Sequence, residues 1–237
     1  MIIAFVQTKG GTGKSTLALC TAYAKKIRQE FSSIALIEMD PQGTLSKWWM
    51  RRESNPNKQI SSVHFNHISD TDKNIILNKL ETIERDNELL ILDVPGESVG
   101  KFHTQFACAI ADLVLIPMRT STNDEEAFED NLLPIIEKIL KVDNDSKSIF
   151  HVIPSFTHPL ASRESIYRYF NEIMPEYVSC FKGTFTFRSV FENFSRAGNT
   201  LFEYADMVKA NRKMLEQADR AIEDIETIVE KILELRF

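Results

Sequence analysis

An apolar run, Ile2 to Val6, delivers the chain straight into Thr8-Lys9-Gly10-Gly11-Thr12-Gly13-Lys14-Ser15-Thr16. No other stretch restricts the fold as strongly. A buried strand followed by a glycine-rich turn and a helix is one βα unit. Its turn must lie at the carboxyl end of a parallel sheet. Gly10, Gly11 and Gly13 carry no Cβ, so backbone N–H groups can point inward at an anion. Lys14 adds a charge and Ser15 a hydroxyl, and the helix beginning near Ser15 adds the positive end of its dipole. The usual phosphate-gripping motif is Gly, four residues, then Gly-Lys-Ser/Thr. Here the closing part is intact, Thr8 stands at the opening glycine position, and a second lysine, Lys9, lies within the loop.

The rest of the chain continues the βα pattern. Ile34-Ala35-Leu36-Ile37 and Leu89-Leu90-Ile91-Leu92 read as buried strands ending near Asp40 and at Asp93. Leu113 to Ile116 and Ile149 to Ile153 are further apolar runs of strand length, each closed by a proline. Helical periodicity predicts helices near residues 72–85, 123–141 and 161–173, and an amphipathic first helix through Leu17, Cys20, Tyr23, Ala24 and Ile27. The fold class is therefore α/β: a doubly wound, mostly parallel sheet with helices on both faces, expected as one domain over 1–237. The loop, Asp40 and Asp93 then share the carboxyl edge, where Mg²⁺ would find the hard oxygen ligands it prefers.

Composition excludes several classes. No apolar run approaches the ~20 residues that cross a bilayer, and the first strand begins without a secretion signal, so a cytoplasmic protein is expected. Cys20, Cys108 and Cys180 have neither disulfide nor zinc spacing, and the histidines show no ligand pattern. The net charge of −6 argues against a broadly basic surface. Residues 147–213, with nine basic and six acidic side chains, are where a nucleic-acid contact would have to arise.

Taken with Glu38-Met39-Asp40-Pro41-Gln42-Gly43, Leu92-Asp93-Val94-Pro95-Gly96, Ala111 to Pro117 with Asp124, and Arg188 leading to Ala197-Gly198-Asn199-Thr200-Leu201, the loop resembles that of the ParA/MinD class of P-loop ATPases. The likeness runs closest to short partition ATPases that lack an N-terminal DNA-reading domain. It implies ATP and Mg²⁺ as cofactors, bound by Lys9, Gly10, Gly11, Thr12, Gly13, Lys14, Ser15 and Thr16. It implies Lys9, Lys14 and Asp40 as catalytic residues and Ser15, Asp40 and Asp93 around the metal. It further implies an ATP-bound homodimer into which Lys9 reaches across, non-specific DNA binding, and hydrolysis stimulated by a centromere-binding or other activating protein at the nucleoid. Arg188, Arg196, Lys209, Arg212 and Lys213 are the DNA-contact candidates. The chain departs from the family pattern at Glu38, often an aspartate, at the single proline Pro95, and at Pro154-Ser155-Phe156, where many relatives place an asparagine; adenine contacts stay unassigned.

The same loop serves other tasks, including conjugative transfer, positioning of protein machines, MinD-like membrane cycling and metabolite kinases. A membrane reading would need a basic amphipathic tail. The tail stripe Ile222, Ile225, Ile228, Val229, Ile232 and Leu233 has an acidic polar face and reads as a core or interface helix, so stable membrane association is not expected.

Overall fold

The computed structural model describes residues 1–56, 58–96, 101–142 and 148–235. Strands β1 (Ile2–Phe5), β2 (Ile34–Glu38), β3 (Val63–His67), β4 (Leu89–Asp93), β5 (Leu113–Met118), β6 (Ile149–Thr157) and β7 (Val178–Cys180) lie side by side in the order β3-β2-β4-β1-β5-β6-β7. Every neighbouring pair is parallel, and a short β8 (Phe185–Thr186) pairs with the far end of β6. The helices are α1 (Lys14–Tyr23), α2 (Lys25–Glu30), α3 (Thr44–Glu53), α4 (Lys73–Asp86), α5 (Lys101–Ile110), α6 (Thr122–Ala127), α7 (Leu133–Val142), α8 (Arg163–Ile173), α9 (Val190–Asn193), α10 (Leu201–Met207) and α11 (Arg212–Glu234). The sheet is doubly wound, as the alternating pattern requires.

Side chains alternate across the sheet and bury on both faces, which is why its strands read as unbroken apolar runs. Ile3 and Phe5 of β1 join the core under α1, α3 and α9 to α11. Ala4 and Val6 join the opposite core under α4, α5, α7 and α8. Each fully buried Leu, Ile or Phe contributes about 1.5–3 kcal/mol. Helix α11 spends its apolar stripe here: Ile225, Ile228, Val229 and Ile232 are all fully buried. Helix starts carry side-chain caps where the sequence has them, Asp72 for α4, Ser121 for α6 and Ser162 for α8.

Two expectations need correction. Pro117 and Pro154 do not close their strands, because β5 runs on to Met118 and β6 to Thr157. Leu115 accepts from Val6 and Val152 accepts from Phe181, so Pro117 and Pro154, two residues on, turn their nitrogens toward the same neighbours. Those neighbours, β1 and β7, have already ended, so no ladder bond is lost. The first helix also stops at Tyr23. Ala24 is extended, and the freed N–H groups of Lys25 and Lys26 at the start of α2 donate to the Glu226 carboxylate of α11.

One buried polar network fastens α3 to the chain before α10. Arg52 pairs with Glu203 through two nitrogens at 2.7 and 3.0 Å and donates also to the carbonyls of Gly198 and Ile60. Its guanidinium lies over the rings of Tyr23 and Trp48. Trp48 donates to the Asn199 carbonyl, so this tryptophan is a packing residue. Gly198 is obligatory: its φ is +73°, and a Cβ would sit 2.3 Å from the Arg52 nitrogen. The resemblance-bearing stretch Ala197 to Leu201 is thus a clamp on α3.

Burial alone would raise the Glu203 pKa, but hydrogen bonds from Arg52, Thr200 and Gln59 hold it down to about 2. This carboxylate therefore stabilises the fold above its ordinary value of 4.5, and that contribution fades as pH falls from there toward 2. Glu203→Gln leaves Arg52 buried without a counter-charge and should cost about 3–5 kcal/mol in urea unfolding with an unchanged m-value. The variant should also lose less stability than the wild type between pH 5 and pH 3.

Candidate functional site

The parallel register sets the site. Phe5 is paired with Asp93, and Asp93 with Glu38, so β1, β4 and β2 end on one line directly beneath the loop. Gly10, Gly11, Thr12, Gly13, Lys14, Ser15 and Thr16, with Asp40, Gln42, Thr44, Gly96 and Phe156, line a cavity of about 330 Å³. A larger cavity, about 660 Å³, lies against α3 at Lys47, Met50 and Arg51 and contains no residue of the loop. The smaller one has the chemistry.

Gly13 adopts φ +93° at the start of α1, and the Phe185 and Phe156 rings press against it where a Cβ would lie, 2.9 and 3.2 Å away. The Ser155 hydroxyl donates to the Thr12 carbonyl and fixes the loop from β6. Lys14 is buried, and its Nζ donates to the Lys9 carbonyl at 3.3 Å, across the loop it serves. The positive dipole end at the head of α1 and this ammonium make the cavity an anion site.

Asp93 is fully buried beneath Ser15, and neither of its carboxylate oxygens has a hydrogen-bond partner at ordinary distance. Burial pushes its pKa up to about 7; Ser15 and Lys14 pull it down, and the like charges of Glu38 and Asp40 add to the rise. A buried carboxyl with both oxygens unused is what a divalent cation requires, directly or through water. Mg²⁺ fits here, where Ser15 and Asp93 would supply oxygens to it. Asp40 faces the same cavity, but one of its oxygens already accepts from Gln42 N–H at 2.8 Å within the Asp40-Pro41-Gln42-Gly43 turn. Glu38 has another task. Its carboxylate accepts from the Leu45 and Ser46 N–H groups and the Ser46 hydroxyl, capping α3.

Lys9 stands apart. Its ammonium lies 2.5 Å from Asp124, a buried carboxylate that also accepts from the Ser121 hydroxyl and the Arg119 N–H. The two lysines of the loop therefore point to different places, Lys14 inward and Lys9 to α6. The DNA-contact candidates divide likewise. Arg188 is mostly buried and ion-paired with Asp224 at 2.7 Å, so it is not offered to an outside phosphate. Lys209 pairs with Asp206 and Arg212 with Glu216 at the surface. Arg196 and Lys213 are exposed, with no ion pair among the described residues.

Sequence reasoning left Asp124 without a role and did not identify Arg119, whose guanidinium donates to the Gly11 carbonyl. Both reach the loop from more than a hundred residues away, where only a resemblance could have hinted at Asp124. No group of three or more His, Cys, Asp or Glu side chains that could hold a metal ion occurs among the described residues. The cysteines are all free, Cys20 and Cys108 in the core.

Residues 3–235 match the family described as the CobQ/CobB/MinD/ParA nucleotide binding domain. The chain belongs to that family and is a nucleotide-binding P-loop protein of the ParA/MinD class. It is 26% identical over 152 residues to protein ParA of Rhizobium radiobacter, spanning 62% of that relative's length and 64% of its own. Its fold is similar to a McdA variant of Cyanothece in complex with ATP (TM-score 0.62, 16% identity, 94% and 95% of the two chains). It is equally similar to a plasmid partition protein of Borrelia burgdorferi (TM-score 0.61, 14% identity, 98% and 97%).

The raised Asp93 pKa predicts a measurable signature. A carboxyl that is easier to protonate in the folded state stabilises below its unfolded value, 3.8, and that stability is lost as pH rises through about 7. Metal-free protein should therefore melt at a lower temperature at pH 8 than at pH 5.5. Asp93→Asn should remove most of that difference while abolishing the gain in thermal stability that Mg²⁺ and nucleotide together give the wild type.

Proposed function

We propose that this protein is a Mg²⁺-dependent ATPase of the partition type, whose ATP-bound form is a dimer that binds DNA without sequence preference. The observation that carries this reading is the division of labour between the two loop lysines. Lys14 already serves the cavity of its own chain. Lys9 is held at the rim by Asp124, with its side chain about one-third exposed, where it can be given to a second copy.

A cation supplied across an interface stabilises the charge that develops on a transferring phosphoryl group and ties hydrolysis to dimerisation. The loop N–H groups and Lys14 orient the phosphates, and the Ser15 hydroxyl and Asp93 hold Mg²⁺. Asp40, at the cavity wall, positions the attacking water with its remaining oxygen. Bound Mg²⁺ would neutralise charge on the outer phosphates and on Asp93 alike. Partner proteins raise a slow basal rate by completing this arrangement.

Support for DNA binding is the basic surplus of residues 147–213 and the exposed pair Arg196 and Lys213. Such contacts go to backbone phosphates and carry no sequence information. The apolar face of α11 is buried in the core, which leaves that helix unsuited to lying on a membrane.

The test is sedimentation and DNA binding with ATP, ADP and a non-hydrolysable analogue at rising salt. Dimers and DNA complexes should form with ATP or the analogue only, and Lys9→Ala should abolish both while leaving nucleotide affinity of the monomer unchanged. Arg196→Ala should lower the slope of log affinity against log salt by about 1 per lost phosphate contact. DNA binding that is indifferent to nucleotide, or a Lys9→Ala protein that still dimerises with ATP, would refute the reading.

A further inference from the structure

Phe156 is strained, half-buried and in contact with the phosphate site. Its φ is +49°, a region bulky side chains rarely enter, and it is the one non-glycine residue with positive φ among the described residues. The β6–β8 register breaks between Ser155 and Thr157, so the strand bulges at this residue. A bulge beside a site re-aims one side chain, and strain of this kind persists where the surroundings impose it. Here Ser155 is tied to the Thr12 carbonyl, and the Phe156 ring packs at 5.3 Å from Phe185 and 6.0 Å from Phe187, itself exposed.

The sheet order tells which part of a nucleotide this ring can meet. Asp93 and Asp40 come from β4 and the turn after β2, on one side of β1; β6 lies on the other side, beyond β5. The metal ligands and outer phosphates occupy the first flank. Phe156 is the only residue that lines the cavity from the second flank, among the described residues, and there the sugar and base must lie. Its ring face suits a planar partner, since the exposed Arg119 guanidinium lies over it at 5.0 Å from the centroid. The neighbouring polar side chain, Ser155, is buried with its hydroxyl proton committed to the loop, so it offers no donor to a base edge.

We infer that Phe156 holds the nucleobase by stacking, and that the site consequently accepts adenine and guanine nucleoside triphosphates almost equally. Stacking uses the π face that every base presents. Rejection of one purine requires hydrogen bonds to groups that the wrong base leaves unpaired. This inference rests on the nucleotide-site reading of the loop and assigns the residue that sets its base preference.

The experiment is competitive displacement of a fluorescent ATP analogue by ATP, GTP and inorganic tripolyphosphate, with Mg²⁺, on wild type, Phe156→Tyr and Phe156→Leu, each checked by thermal melting. Wild type should bind ATP and GTP within about threefold of each other, and Phe156→Tyr, which keeps the ring, should match it. Phe156→Leu should lose about tenfold or more for both purines and nothing for tripolyphosphate. An ATP preference above about thirtyfold, or a Phe156→Leu protein that binds ATP as wild type does, overturns the inference while the loop reading stands. Failure of both the nucleotides and tripolyphosphate to bind overturns the two together.

Discussion

The site depends on three parallel strands ending at the same level. That register places two carboxylates, Glu38 and Asp93, side by side at the carboxyl edge, with the phosphate loop directly above. Like charges so close must each be neutralised differently. Glu38 is satisfied by the first N–H groups of α3, and in doing so fixes where the helix starts. Asp93 is left for a proton or a cation. The family's more usual aspartate at position 38 would have one methylene less with which to reach the helix.

Helix α3 is held at its start by Glu38 and at its end by Arg52 and Glu203, and the hydrogen-bonded turn between Asp40 and Gly43 joins it to β2. The clamp also explains why Ala197 to Leu201 carries a recognisable pattern although it lies far from the cavity. Its glycine must admit the Arg52 backbone, Asn199 must receive Trp48, and Thr200 and Glu203 must form a capping box.

Much of this was legible in the order of residues, for a physical reason. Strands buried on both faces lose the polar alternation that would disguise them, so β1, β2, β4, β5 and β6 appear as plain apolar runs. The glycine loop is equally plain, since its chemistry is local. The ends of β5 and β6 were misread because a proline stops a strand only where its nitrogen faces a neighbour. The pairings of Lys9 with Asp124 and of Arg52 with Glu203 were hidden by sequence separation. Spacing says nothing about two elements that meet only when the sheet has closed. Of the basic candidates, Arg188 looked no different from Arg196 until Asp224 on α11 was seen beside it.

The central position of β1 has a consequence for synthesis. Strand β1 leaves the ribosome before both of its neighbours, β4 and β5, and neither exists until residues 89–118 have been made. At ordinary elongation rates the segment that carries the phosphate loop waits about ten seconds with both edges bare. A chain interrupted before β4 contains the whole glycine motif yet lacks both strands that flank it. Competence to bind nucleotide therefore arrives late and all at once, a natural mark of a completed fold.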